Sequence, residues 1–192
     1  MPAGEPAAPR ARLLELLKTL SWQRGEVTLA SGRRSDFYFD CRQTALHAEG
    51  AVLIGRLVFE HVRSLRQKGV AIDGVGGPTL GADPIATATA VHSFLAGEPV
   101  HAFIVRKEPK SHGTGTWLEG LRNLAAGSRV LVVEDVVTSG ASMLAALERV
   151  RSAGLVPVAL LCIVDRGEGG RDSLVASGLP YTSLFTRFDF DA

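Results

Sequence analysis

One run constrains this 192-residue chain more than any other: Val130-Leu131-Val132-Val133-Glu134-Asp135-Val136-Val137-Thr138-Ser139-Gly140-Ala141-Ser142. Its first four residues are apolar and mostly β-branched, the composition of a strand buried on both faces, and the residues from Leu144 to Val150 continue at helical spacing. A strand that passes through a small-residue turn into a helix is the repeating unit of a parallel α/β sheet. Ligands of such sheets bind outside the carboxyl ends of the strands, where this turn lies. Backbone N–H groups at the helix mouth, with the hydroxyls of Thr138, Ser139 and Ser142 beside them, attract a dianionic phosphate. Glu134 and Asp135 can accept hydrogen bonds from a vicinal diol, and they would repel a bare polyphosphate. No lysine follows Gly140, so this is not a nucleoside-triphosphate loop, and no Gly-x-Gly-x-x-Gly run points to a dinucleotide. The plainer alternative is a strand–turn–helix in which the two acids only cap the turn.

Periodicity extends the α/β pattern along the chain. Leucines at 13, 14, 16, 17 and 20 predict a helix over 10–20, followed by strands over 26–29 and 35–40; together they read as a small N-terminal hood covering 10–40. Helices are predicted over 49–65 and 80–95, and strands over 70–75, 101–105, 155–164 and 181–185, with a short helix over 171–177. Strands separated by helices imply right-handed crossovers and a mostly parallel central sheet with helices on both faces. An apolar content of 46% suffices for a full core, so residues 10–192 read as one domain and residues 1–9 as a flexible tail. The formal net charge of +1 argues against a nucleic-acid partner. No apolar run is long enough for a membrane span and no signal-peptide layout is present, which points to the cytoplasm. Cys41 and Cys162 belong to no Cys-x-x-Cys pair and read as reduced and buried.

Three further segments carry chemistry. Between Val105 and Val130 the periodic pattern lapses, a length unusual in a compact domain unless the loop has a function. It contains Arg106-Lys107-Glu108-Pro109-Lys110-Ser111-His112-Gly113-Thr114-Gly115-Thr116, which reads as a mobile cationic lid over 106–118 whose charges can neutralise a pyrophosphate; a solvated charge run is the alternative. The run Gly74-Val75-Gly76-Gly77-Pro78-Thr79-Leu80-Gly81-Ala82-Asp83-Pro84 reads as a turn in which side-chain-free backbone admits an anion, or one in which glycine only serves packing. Asp165-Arg166-Gly167 follows a strand at the same carboxyl edge, where Arg166 can meet a carboxylate with a planar fork or can pair with Asp165 or Glu168.

Together these four segments resemble the orotate phosphoribosyltransferase family of type I phosphoribosyltransferases, over roughly residues 26 to 170. The most diagnostic part is Arg106-Lys107-x-x-Lys110-x-His112-Gly113-Thr114-Gly115, with Glu119-Gly120 beyond it. The stretch from Thr28 through Ser31-Gly32-Arg33 to Asp40 resembles the family's orotate-binding hood. The resemblance implies transfer of a phosphoribosyl group from phosphoribosyl diphosphate (PRPP) to orotate, giving orotidine 5′-monophosphate and pyrophosphate in pyrimidine synthesis. It assigns Glu134 and Asp135 to the ribose hydroxyls, and Val136, Val137, Thr138, Ser139, Gly140, Ala141 and Ser142 to the 5′-phosphate. Arg106, Lys107, Lys110 and His112 go to pyrophosphate, and Thr138, Arg166, Tyr38 and Phe39 to orotate. Lys107, His112 and Asp135 are the implied catalytic side chains. The resemblance also implies a homodimer with the lid shared between subunits. It implies Mg2+ as well, held mainly through PRPP and pyrophosphate, because no cluster here has the layout of a dedicated metal site. Two family lysines are replaced, by Ala30 in the hood and by Gly81 in the glycine-rich turn, and Asp36 stands at a common proline. The competing readings are a purine phosphoribosyltransferase and a PRPP-sensing regulator that binds nucleic acid.

Overall fold

The computed structural model describes residues 8–28, 34–109 and 116–190. Its architecture follows from β6, Arg129–Val137, whose side chains are buried from Val130 through Glu134. A strand apolar on both faces must be covered on both faces, and two layers do so. On one side Leu131 and Val133 pack with Ile54, Val58 and Phe59 of α3, Ala48–Gln67, and with Ile85 of α4, Ala82–Leu95. On the other, Val130 and Val132 pack with Met143, Ala146, Leu147 and Val150 of α5, Ala141–Ser152. The buried positions of α3 recur at helical spacing, its first turn carries Glu49 against the helix dipole, and His47 Nδ1 caps it by accepting from Gly50 N at 3.4 Å.

Around β6 the sheet runs in the order β5-β4-β3-β6-β7-β8. Here β3 is Gly74–Pro78, β4 His101–Val105, β5 Leu118–Glu119, β7 Val156–Asp165 and β8 Tyr181–Thr186. All neighbours are parallel except β5, which lies antiparallel on β4. Helix α4 connects β3 to β4, α5 connects β6 to β7, and α6, Gly170–Val175, connects β7 to β8. After β4 the chain returns to the other side of β3, so the strand order reverses between β3 and β6. That reversal opens a crevice at their carboxyl ends.

The N-terminal part begins with α1, Pro9–Leu16, and widens into a π-helical stretch, Leu17–Ser21. The strands β1, Trp22–Thr28, and β2, Arg34–Phe39, then pair antiparallel. A lone two-stranded ribbon is marginal in water. This one is anchored by aromatic packing: Trp22 stacks on Phe37 at 4.8 Å and on Phe190 at 5.2 Å, the latter from a 3-10 turn, Arg187–Phe190, that follows β8. A short helix α2, Cys41–Ala45, completes the hood, with Asp40 as its N-cap.

Several boundaries differ from the sequence expectation for identifiable reasons. The strand expected over 70–75 is displaced to Gly74–Pro78: Val70 and Ile72 do pack on the core, but the ladder bonds begin only at Asp73, which donates to Arg129 O at 2.7 Å. The first part of the glycine-rich run, Gly74–Pro78, is therefore strand, and the true turn is Thr79, Leu80 and Gly81. β6 extends past Val133, so Glu134 and Asp135 stand on the strand itself. β1 starts at Trp22 rather than at 26, while α2 and β5 carry too few residues for periodicity to reveal. Residues 1–7 of the expected tail lie outside the described residues, and Pro9 already belongs to α1.

Candidate active site

The crevice between β3 and β6 forms a cleft of about 440 Å³. Glu134 and Asp135 line it from β6, the turn Thr79, Leu80 and Gly81 from the end of β3, and Ser142, Ala145 and Arg149 from α5. Phe39, Asp40 and Arg42 reach it from the hood, and Lys107 from the segment after β4.

The acids are held by short-range bonds. Ser142 Oγ donates to Glu134 Oε2 at 2.8 Å, and Val136 N donates to Asp135 Oδ1 at 2.8 Å. Burial, reinforced by the neighbouring Asp135 charge, pushes the Glu134 carboxyl up to about 8 against an ordinary 4.5, although the Ser142 bond works the other way. Burial also raises Asp135, with the Val136 N–H offsetting part of the effect. A pair of this kind holds a proton at neutral pH and can give it up to bind hydroxyl donors.

Behind the acids, Thr138, Ser139 and Gly140 turn the chain from β6 into α5. Gly140 has φ +80°, a left-handed conformation that disfavours a side chain. The exposed first turn of α5 presents N–H groups without helical partners, the physical basis of an anion site. The Ser142 hydroxyl, expected to face the anion, is committed to Glu134 instead.

Gly81, where the resemblance expects a lysine, packs directly against the acid pair. A β-carbon built there would collide with Asp135 Oδ1 and would stand 2.9 Å from Glu134 Oε1. With the carboxylates where they stand, any larger residue at this position would require Asp135 to shift. It is fixed from both sides: Thr79 N donates to Val105 O at 2.9 Å, and Thr79 Oγ1 to Asp83 Oδ2 at 2.6 Å.

The remaining expected site residues divide. Lys107 and Phe39 line the cleft. Arg106 does not: its Nη1 bonds Glu119 Oε1 at 3.0 Å, and its backbone N–H bonds Trp117 O at 2.8 Å. Arg149 fastens the same place, donating to Arg106 O at 2.8 Å with its guanidinium 4.1 Å from the Trp117 ring centroid. Both flanks of the segment expected to act as a lid are thus tied to β4, β5 and α5. Lys110 and His112 lie outside the described residues, as does Ala30.

Tyr38, Thr138 and Arg166 do not line this cleft. Tyr38 alternates with Phe37 and Phe39 along β2, so it takes the opposite face. Arg166 is 5% exposed, pairs with Glu168 at 2.8 Å and lies 4.5 Å over the Phe37 ring. Its turn is pinned beside the end of β6: Arg166 N donates to Val137 O at 3.0 Å, Gly167 N to Asp165 Oδ1 at 2.9 Å, and Tyr181 Oη to Asp165 Oδ2 at 3.0 Å. Three cleft residues escaped the sequence reading, Arg42, Ala145 and Arg149. Of these, Ala145 and Arg149 were discoverable, since 142, 145 and 149 share one face of α5.

Among the described residues no three His, Cys, Asp or Glu side chains gather as a metal cage would. The adjacent Glu134 and Asp135 offer one or two carboxylates, which suits a Mg2+ that brings most of its oxygen ligands with a phosphate substrate.

The sequence and fold have counterparts among known proteins. The family model described as "Phosphoribosyl transferase domain" matches residues 43–176. An orotate phosphoribosyltransferase of Rhodopseudomonas palustris is 47% identical over 186 residues, covering 96% of this chain and 97% of that protein. A crystal structure of the Mycobacterium tuberculosis H37Rv orotate phosphoribosyltransferase is 41% identical with a TM-score of 0.82, covering 96% of this chain and all of that one. Another crystal structure of that enzyme, in complex with PRPP, is 38% identical with a TM-score of 0.77 over 96% of this chain and all of that one. The chain therefore belongs to the phosphoribosyltransferase family and, within it, to the orotate phosphoribosyltransferases.

Proposed function

We propose that this chain transfers the 5-phosphoribosyl group of PRPP to orotate, releasing pyrophosphate and forming orotidine 5′-monophosphate. The observation that carries the reading is the joining, in one cleft at the switch point, of a buried acid pair and the mouth of α5. In this reading Glu134 and Asp135 accept hydrogen bonds from the ribose hydroxyls, while the backbone from Val136 to Ser142 holds the 5′-phosphate. Lys107 meets the leaving pyrophosphate, joined by Arg106, Lys110 and His112. Orotate, a planar anion, lies toward the hood, where Phe39 supplies a ring face in the cleft; Thr138 and Arg166, at the ends of the neighbouring strands, would supply hydroxyl and cation from outside the present lining, and Tyr38, on the other face of β2, drops out of the orotate set.

The reaction breaks the bond from ribose C1 to the diphosphate oxygen, whose electron pair leaves with pyrophosphate, and forms a bond from C1 to the orotate ring nitrogen, whose N–H bond breaks as its proton is released to solvent. Charge builds on the leaving group, so a cation placed there acts on the transition state more than on the ground state. Mg2+, bound chiefly through PRPP with Glu134 and Asp135 as the carboxylates of the cleft, would supply further neutralisation of the diphosphate. Closure of the segment between Arg106 and Leu118 would exclude water from the electron-poor ribose.

The reading includes a homodimer. α4 exposes Val91, Phe94 and Leu95, and Leu80 and Leu46 flank an adjoining apolar groove of about 810 Å³. An apolar surface of this kind suits a second copy. A cytoplasmic setting agrees with two free, buried cysteines.

The test is pyrophosphate release with PRPP and Mg2+ in the presence of orotate, adenine or hypoxanthine. Release with orotate alone is expected. Release with a purine base and none with orotate would replace the reading by a purine-specific one, and salt-sensitive RNA or DNA binding without any release would replace it by a regulator.

A further inference from the structure

The turn that faces the acid pair, Thr79, Leu80 and Gly81, brings no charged side chain to the cleft. Three cations do line the cleft: Lys107, Arg149 and Arg42. Arg149 is engaged by Arg106 O and the Trp117 ring, and Lys107 stands on the segment after β4. Arg42 arrives from another element, the first turn of α2, and with Leu80 it lines both this cleft and the neighbouring groove.

Arg42 is held in advance. Its Nε donates to Asp40 Oδ1 at 2.7 Å and its Nη2 to Asp40 Oδ2 at 3.1 Å, leaving Nη1 with no hydrogen bond among the described residues. Within this pair the side chain of Asp40 is 15% exposed and that of Arg42 is 44% exposed, so the cation is the open member. Capping of α2 accounts for Asp40 but not for Arg42, since the cap bond runs from the Arg42 backbone N–H, which every residue but proline possesses. The Asp135 charge also acts on Arg42, and each favours the ionised form of the other.

We infer that Arg42 is a PRPP-binding residue, a preset guanidinium that grips the diphosphate from the hood side. The inference rests on the reading that this cleft binds PRPP. A guanidinium locked by a carboxylate through two N–H groups keeps further donors for phosphate oxygens and loses little rotamer freedom on binding them. Such an arrangement discriminates ligands with a diphosphate from ligands that carry only a ribose phosphate.

The experiment compares wild type with Arg42→Gln and Arg42→Lys, using calorimetric titration with PRPP and Mg2+, with pyrophosphate and Mg2+, and with ribose 5-phosphate, alongside steady-state KM values for PRPP and orotate and a thermal melt. For Arg42→Gln, PRPP and pyrophosphate binding is expected to weaken by about 10-fold to 100-fold, the range of a lost charged hydrogen bond. Ribose 5-phosphate binding, the orotate KM and Tm should hold, and Arg42→Lys should recover part of the loss. Unchanged PRPP and pyrophosphate binding in Arg42→Gln would overturn the inference, leaving Arg42 as a surface partner of Asp40. Equal losses for ribose 5-phosphate, orotate and Tm would overturn it too, by showing a disturbed hood. Failure of the underlying reading looks different, because wild type itself would then bind no PRPP.

Discussion

Replacing Glu134 by glutamine should make the ligand-free protein more stable while weakening its hold on PRPP. Glutamine keeps an oxygen for the Ser142 hydroxyl, which stands 2.8 Å from Glu134 Oε2, and it removes the charge that burial and Asp135 both oppose. The sign follows from linkage. A carboxyl whose folded value is raised binds its proton more tightly when native, so its contribution is most favourable below the unfolded value of 4.5 and is lost as pH climbs toward about 8. Across that interval the wild-type penalty amounts to about 3 kcal/mol at pH 7 and about 5 kcal/mol at pH 9. At pH 4.5 it falls below about 0.5 kcal/mol. For a chain of this size the pH 7 figure corresponds to about 6–12 °C in Tm. Thermal or denaturant melts of both proteins from pH 4.5 to pH 9 would therefore give curves that nearly meet at the acid end and spread apart with rising pH. Calorimetry should show PRPP binding weaker by about 10-fold in the variant, the value of one charged hydrogen bond to a ribose hydroxyl. Parallel stability curves, or a variant less stable at pH 7, would refute the assignment of the burial penalty to Glu134.

The other side chains invite simpler tests. Lys107→Ala should lower kcat by about 100-fold or more with a smaller change in KM, since the charge it meets is largest in the transition state; steady-state kinetics with unchanged kcat would remove it from the chemistry. Arg166→Ala should raise the orotate KM by about 10-fold or more and spare PRPP binding, whereas equal damage to both substrates would indicate that the Arg166–Phe37 contact supports the hood instead. Gly81→Ala should displace Asp135 and weaken PRPP binding although Ala is the better helix former beside α4, and an unaffected affinity in titration would show that the acid moves aside without consequence.

The parts of this protein that the sequence discloses are those where one residue pattern has one structural meaning. A β-branched run entering Glu134 and Asp135 can hardly be other than a central strand delivering acids to a sheet edge, and the leucines and valines of α3 and α5 repeat as only a helix repeats. What stayed hidden depends on the third dimension. Nothing in the string tells that Gly81 touches Asp135, that Ser142 turns to Glu134 and away from the helix mouth, or that Arg42, three residues beyond a strand, shares a cleft with β6. The displacement of β3 has a similar origin. Val70 and Ile72 look like a strand because they are buried, but burial and ladder pairing are separate requirements, and Gly74–Pro78 meets the second.

The stacking of Trp22 on Phe190 joins a ribbon near the beginning of the chain to a turn beyond the sheet's outermost strand. In the proposed reading a wall of the orotate site thus depends on a clasp formed between distant stretches of sequence. Gentle warming should loosen that wall before the sheet itself melts, so loss of base recognition would precede loss of fold.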